Sequence, residues 1–536
     1  MPRPKPLLLI ILDGFGVSTE TEGNPVVQAR TPMLDELDQF FPFTTLQASG
    51  PAVGLPWGKA GNSEVGHLTI GSGRVIYHYL PRIQSAIDDG SFFKNQALLD
   101  ALAHAHTHAS RLHIAGLISS GSVHSFINHL YALFDLAKKE NIGEVILHAF
   151  TDGKDAPPQE GAVFLRTLEE RMQKEWPNAR IGSLMGRFFA MDRDEQWDRI
   201  EAAYTLLTEG KGMRTNSTSD YLLESYKKGI SDEFIPPCIL TDEAPREDAA
   251  HNSDSYIKKD DALIFLNFRE DSMREITHAF ADPAFDKFPR KNIENLSITT
   301  MTEYQKDLPV RVAFPPVTVG YPLARVVGES GFTHVHIAET GKYAHVTYFF
   351  NGGKEQPFAN EERILIPSDT AAHLDENPQM RASEVTETIL KSTSRFDMII
   401  ANFANADMIG HTGNFQAAIK AVEVLDTSLG KIIPAICDGD GVAVITSDHG
   451  NIELKRNIHT GEKLTQHSMN PVPFYLIGSQ YRRKKPRTVQ EIKKQKNEVG
   501  GILSDVAPTL LELFDLKKPD EMTGKSLLSL LAKQKV

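Results

Sequence analysis

The chain has 536 residues, 41% hydrophobic and 24% charged, which is ample apolar material for buried cores and unlike a disordered chain. A formal net charge of −13 argues against a nucleic-acid partner gripped through its phosphates, and it means that an anionic ligand must be drawn to a locally basic pocket. The two cysteines, Cys238 and Cys437, lie far apart, which argues against a disulfide framework and suits a reducing, cytoplasmic setting.

The first apolar run, Leu7 to Leu12, is too short to span a bilayer, lacks a signal-peptide cleavage pattern and stops at Asp13, so no membrane association is expected. Gly58 to His67 is a Gly-rich turn opening into a helix. Ser63 near that helix start would meet free N–H groups and the positive end of the dipole, which suit an incoming phosphoryl group. An equally open reading is that Asn62 or Ser63 only caps the helix. Strand-like runs follow at 112–118, 145–150, 181–185 and 263–266, with helices expected at 161–174 and 196–209. Each run ends in a polar motif: Ser119 to His124, Asp152 to Asp155, Gly186-Arg187 with Met191 to Asp194, and Asn267 to Arg269. Later, Met398 to Phe403 leads towards Asp407, and Val442 to Thr446 leads into Ser447-Asp448-His449-Gly450. The basic stretch Tyr481 to Pro486 reads as a solvated loop.

Apolar runs without alternation suit strands buried on both faces of a parallel sheet, whose carboxyl ends collect ligands. The expected fold is therefore α/β, with two α/β domains. An outer domain (1–77 and 316–536) has a mainly parallel sheet, and a second domain (78–315) is inserted into it. The joints are expected within 75–81 and 309–316.

Asp13, Asp407, His411, Asp448, His449 and His467 all follow strands of the outer domain or lie in a nearby loop. Taken singly, each is an ordinary cap, turn or core residue. Together they read as a metal centre, and mixed carboxylate and imidazole donors suit Mn²⁺, Zn²⁺ or Mg²⁺. A metal could deprotonate the Ser63 hydroxyl, with no His-Asp relay required.

Seven motifs in order, Leu12 to Gly16, Gly61 to His67, Gly121 to His124, Ala190 to Asp194, Asn267 to Arg269, Ala338 to Thr347 and Ser447 to Asn451, resemble those of the cofactor-independent phosphoglycerate mutases of the alkaline phosphatase superfamily. Glu521 to Lys525 matches the end of that pattern. The resemblance implies two divalent ions in a phosphatase-like outer domain. Mn²⁺ is the first expectation, with Mg²⁺, Zn²⁺ or Co²⁺ as alternatives. Asp407, His411 and His467 would hold one ion, and Asp13, Ser63, Asp448 and His449 the other. The inserted domain would grip a small phosphoglycerate substrate through His124, Lys154, Asp155, Arg187, Arg193 and Arg269, with Lys342 reaching in from the outer domain. Ser63 would take the phosphoryl group in exchanging 3- and 2-phosphoglycerate, and Asp155 would shuttle a proton. No 2,3-bisphosphoglycerate would be needed, and the enzyme would be a cytoplasmic monomer.

The chain departs from the family pattern in the substrate domain. Lys154 and Ser272 stand where the family has arginines, Phe126 replaces a histidine, and Gly341 replaces a glutamate before Lys342. Arg274 is the nearest substitute for the arginine missing at 272. These departures leave room for a related metallophosphatase or phosphotransferase with altered substrate, or for an inactive binding homologue.

Overall fold

The computed structural model describes residues 3–241, 255–368, 374–457 and 459–534. It divides into two compact units, Met1–His78 with Val317–Val536, and Tyr79–Pro316. Each end of the continuous unit lies one residue later than the boundary expected from sequence.

The discontinuous unit is built on an eight-stranded sheet in the order Glu361–Ile366, His334–Glu339, Met398–Phe403, Leu7–Leu12, Val442–Thr446, Val472–Ile477, Phe43–Gln47 and Val499–Ile502. Leu7–Leu12 runs parallel to both of its neighbours, and Val472–Ile477 is antiparallel to both of its own. Strand Leu7–Leu12 shows why the apolar runs do not alternate. Leu8, Ile10 and Leu12 pack into one core with Leu425 and Ile432, while Leu7, Leu9 and Ile11 pack into another with Ile70 and Leu510. Both faces of the strand are covered, so every residue is apolar and no register could expose a polar face.

The continuous unit has its own eight-stranded sheet, ordered Arg311–Phe314, Ser297–Thr302, Ala262–Phe265, Leu112–Leu117, Val145–Thr151, Ala179–Gly186, Cys238–Leu240 and Met213–Thr215. It is parallel except where Ala179–Gly186 meets Cys238–Leu240. Ile114 and Leu147 face one core, and Leu117, Phe150 and Phe265 face the other. Its helices include Gly161–Glu175 and Trp197–Glu209; Gln196 is the flanking cap position rather than the first helical residue. The basic stretch at 481–486 is not wholly solvated. Tyr481 is buried, and Arg482 donates to Glu36 Oε1 at 2.6 Å. Among the described residues, no helix is long and apolar enough to cross a membrane.

Candidate active site

Three adjacent parallel strands, Met398–Phe403, Leu7–Leu12 and Val442–Thr446, end on one rim of the first sheet. Asp13 follows the second, Asp448 and His449 follow the third, and Asp407 lies in helix Asn405–Gly410 just after the first. The crowding leaves no room for side chains at two glycines. A Cβ on Gly14 (φ +73°) would lie 2.7 Å from Asp407 Cα, and one on Gly66 would lie 2.5 Å from the Asp448 carbonyl oxygen.

Ser63 opens helix Ser63–Ser72, but the cap is Asn62, whose side chain accepts from Val65 N–H. The Ser63 hydroxyl is left for the site. Its Oγ lies 3.1 Å from Asp13 Oδ1, 3.1 Å from His449 Nε2 and 2.7 Å from Lys342 Nζ. Lys342 ends a short turn after strand His334–Glu339, and its ammonium also reaches Asp13 Oδ1 at 2.7 Å and Asp407 Oδ2 at 2.6 Å.

The electrostatics follow from three buried carboxylates facing one ammonium. Burial works against the Lys342 charge, yet Asp13, Asp407 and Asp448 hold its pKa above the usual lysine range. Burial pushes Asp407 upward, but hydrogen bonds from His411 and His467 and the Lys342 charge keep it far below the carboxylate range. Asp448 is likewise held low, against burial, by His449 and His67. Burial and Asp448 both push Asp13 up; Lys342 and the nearby His449 imidazole outweigh them. His449 overcomes its burial through Asp448 and Asp13 and is raised to about 9. The cluster therefore draws positive charge, as a cation site must.

The donor geometry fits metal ions directly. His411 Nδ1 lies 2.9 Å from the Thr465 carbonyl oxygen, and His467 Nδ1 lies 2.7 Å from that of Gly61. A carbonyl only accepts, so both Nδ1 atoms carry protons, and once an ion displaces the Nε2 protons shared with Asp407, the two Nε2 atoms, 3.0 Å apart, offer it their lone pairs. Two nitrogens bound at 2.0–2.1 Å to one ion, at a near-tetrahedral angle, lie about 3.3 Å apart. Asp407 Oδ1 completes the group, 3.3 Å from His411 Nε2 and 3.2 Å from His467 Nε2. Asp448 Oδ2 is buried with no hydrogen-bond partner, beside Asp13 and His67. His449 Nε2 stands 3.6 Å from Asp13 Oδ1 and Asp448 Oδ2 and 3.8 Å from Asp407 Oδ1, within reach of either group.

Sequence reasoning missed three members of this centre. His67, one helical turn beyond Ser63, brings Nδ1 within 3.2 Å of Asp448 Oδ2 and Nε2 within 3.0 Å of Asn402 Nδ2. Asn402 donates to Asp13 Oδ2 at 2.7 Å, and Asn451 donates to Asp407 Oδ1 at 2.8 Å. The i, i+4 spacing from Ser63 was the signal available for His67.

The continuous unit gathers a second set of the predicted residues. His124, Lys154, Asp155, Arg187, Arg193, Arg269 and Ser272 line one cavity of about 210 Å³. Arg187 donates to Asp152 Oδ1 at 2.7 Å, to Asp155 Oδ2 at 2.6 Å and to His124 Nε2 at 2.9 Å. Arg193 and Arg269 converge on Asp271 Oδ2 at 2.9 and 3.0 Å. Burial and the Arg187 charge push His124 down to about 4, so it is neutral. Because a guanidinium only donates, His124 Nε2 accepts and its proton sits on Nδ1, 3.0 Å from Ser272 Oγ. Arg274 does not replace the missing arginine: its Nε donates to the Tyr304 carbonyl at 3.1 Å. Phe126 packs edge-on to the His129 ring, and Gly341 has open space where a side chain would start.

Residues 83–306 match a family described as the BPG-independent PGAM N-terminus. The chain is 44% identical over 526 residues to the 2,3-bisphosphoglycerate-independent phosphoglycerate mutase of Moorella thermoacetica, and 45% identical over 529 residues to enzyme 1 of that name from Methanosarcina barkeri, covering 98% of each chain in both pairs. Among solved structures, the phosphoglycerate mutase of Leishmania mexicana at low cobalt concentration is 29% identical, with a TM-score of 0.54 and 98% of each chain covered.

Proposed function

The chain belongs to the 2,3-bisphosphoglycerate-independent phosphoglycerate mutases, and from that premise we propose how its own residues carry out the glycolytic exchange of 3- and 2-phosphoglycerate. The observation that carries this reading is the contact of Lys342 Nζ with Ser63 Oγ, inside a cluster of three carboxylates. Ser63 Oγ attacks the phosphorus of 3-phosphoglycerate; the bond from phosphorus to the 3-oxygen breaks, and that oxygen takes up a proton. The 2-hydroxyl then attacks the phosphoserine, gives up its proton and frees Ser63. No water enters and no phosphate leaves, so atoms and charge balance as an isomerisation.

Lys342 supports this chemistry by donating to the Ser63 oxygen, which favours its anionic form and offsets charge on the transferred group. Asp13 Oδ1, beside Ser63 Oγ, is an acceptor for the hydroxyl proton. We assign Asp407, His411 and His467 to one divalent ion, and Asp13, Ser63, Asp448 and His449 to a second. Such ions lower the pKa of a bound hydroxyl and neutralise phosphoryl oxygens. Mn²⁺ is our first choice; Mg²⁺, Zn²⁺ and Co²⁺, the last named with the Leishmania mexicana structure, suit the same donors.

Arg187, Arg193, Arg269, Lys154 and His124 are assigned to the phosphate and carboxylate of the glycerate, and Asp155 to proton exchange at its hydroxyls. Arg193 and Arg269 share one carboxylate, Asp271, and a substrate anion can take its place. We place the enzyme in the cytoplasm as a monomer; two unpaired cysteines fit a reducing compartment. Incubation with 3-phosphoglycerate and Mn²⁺, following 2-phosphoglycerate and free phosphate together, tests the reading. The expected result is 2-phosphoglycerate without phosphate release, and stoichiometric phosphate would make the protein a hydrolase instead.

A further inference from the structure

A second histidine pair lies at the amino end of the strand that leads to Lys342, outside the centre described above. His334 and His336 are two apart on strand His334–Glu339, so both rings leave the same face, and both are fully buried. The neighbouring strand sets Glu361 opposite His334. His334 Nε2 lies 3.3 Å from the Ala359 carbonyl oxygen, and His336 Nδ1 lies 2.5 Å from that of Val346. Each of these nitrogens faces an acceptor and must carry a proton. The remaining nitrogens, His334 Nδ1 and His336 Nε2, then point lone pairs at each other across 3.1 Å. Three contacts require three N–H groups, and two neutral imidazoles supply only two.

Moving the His334 proton to Nδ1 satisfies His336 but turns a lone pair towards Ala359 instead. A third proton would also solve the mismatch, but burial pushes His334 down to about 3 and lowers His336 as well. A bound cation removes the conflict without that cost. Nitrogens 3.1 Å apart match two ligands of one ion, as the active-centre pair His411 and His467 does at 3.0 Å. One imidazole nitrogen of each histidine and one Glu361 carboxylate oxygen all lie within 4.8 Å of one another, and the carboxylate supplies negative charge. Arg363 shares that carboxylate at 2.5 Å, as do Asn351 Nδ2 and the Phe358 N–H. An incoming ion would replace one of these contacts. Asn351 Oδ1 beside them is itself buried with no partner.

We propose that His334, His336 and Glu361 form a separate, buried site for one divalent transition-metal ion of the zinc class. Two imidazoles and a carboxylate select such an ion over Mg²⁺. Its role is structural: His336 holds the Val346 carbonyl, in the turn that begins three residues after Lys342. Full-length protein equilibrated with Zn²⁺ and freed of excess should carry about three ions per chain by mass spectrometry of its metal content. His334→Leu with His336→Leu removes the facing nitrogens but keeps an apolar filling, and should carry about one ion fewer while retaining the active-centre pair. Equal zinc content in the two proteins would overturn the proposal. Should the double variant fail to fold, anomalous diffraction from wild-type crystals grown with Zn²⁺ decides. A peak between His334 Nδ1 and His336 Nε2 is expected, and peaks confined to the Asp407 and His411 region would refute the site.

Discussion

The ammonium of Lys342 donates to Ser63 Oγ across 2.7 Å, although the two residues are 279 positions apart in sequence. The same nitrogen bridges Asp13 and Asp407, so its removal leaves buried carboxylates uncompensated. Lys342→Met is expected to lower kcat by a factor on the order of 10² to 10³, typical of losing a preorganised donor. It should also lower the melting temperature of chelated protein more than that of protein saturated with Mn²⁺, because bound ions take over the charge that Lys342 balances. A variant with near-normal kcat would remove Lys342 from the chemistry.

Ser63 and Asn62 separate function from helix capping. Ser63→Ala should abolish turnover and leave the melting temperature nearly unchanged, since the cap hydrogen bond comes from Asn62. Asn62→Ala should do the reverse, costing about 0.5–2 kcal/mol of stability while retaining a phosphorylatable serine. Radiolabel from 3-phosphoglycerate that persists on the Ser63→Ala protein would place the covalent step elsewhere.

What the sequence could reveal followed from how locally each feature is determined. Leu7–Leu12 and Met398–Phe403 were legible because strands covered on both faces are built almost wholly of apolar residues, and the polar residues that follow each run stand at the rim. The choice between Asn62 and Ser63 as cap was not legible, because both side chains can cap and only the tertiary surroundings of Ser63 draw its hydroxyl away. Asn402 was hidden at the end of an apolar strand, where its only visible property was being polar. Strand Val472–Ile477 reads like the parallel strands of the same sheet, and nothing local in it reports that it runs antiparallel to both of its neighbours. Arg274 looked like a substitute for an absent guanidinium by proximity alone; helix Arg274–Ala281 begins there, its Nε donates to the Tyr304 carbonyl, and it does not line the cavity.

Mild acid should weaken the fold before its carboxylates titrate. His124, pushed to about 4 by burial and Arg187, and His129, pushed to about 3 by burial, are neutral when folded. Both His129 nitrogens are buried without a hydrogen-bond partner, so no neighbour stabilises its charged form. Unfolded histidine binds a proton near pH 6.5, so the unfolded state gains protons first as pH falls. The stability that these two histidines contribute is therefore complete above about pH 6.5 and declines towards pH 4, by an amount on the order of a few kcal/mol in total. Thermal melts from pH 7.5 to 4.5 should show this fall, and His129→Leu should flatten it. An unchanged slope in that variant would mean that other groups carry the acid sensitivity.

Lys154 and Ser272 stand where the resemblance called for arginines, and their surroundings predict opposite outcomes for restoring them. The Lys154 side chain is 59% exposed, lines the cavity and has only a 4.0 Å approach to Glu233 Oε1. An arginine fits there without displacing a neighbour and offers a planar fork in place of a point charge. Lys154→Arg should lower the KM for 3-phosphoglycerate by up to about tenfold, or ~1.4 kcal/mol, with little change in kcat. Ser272 is buried, and its Oγ accepts the Nδ1 proton of His124. The next acceptor for that proton is Asp271 Oδ1 at 3.6 Å. An arginine at 272 would overfill the space, at a cost of about 1–3 kcal/mol, and would add positive charge beside Arg187 and Arg269. Ser272→Arg should therefore raise KM and lower the melting temperature. Ser272→Ala, which only removes the acceptor, should raise KM by roughly tenfold or less, in line with about 0.5–1.5 kcal/mol for one hydrogen bond. Steady-state kinetics on the three variants separates the cases. A lower KM in Ser272→Arg would show that His124 does not depend on Ser272, and that the cavity reshapes to accept the second guanidinium.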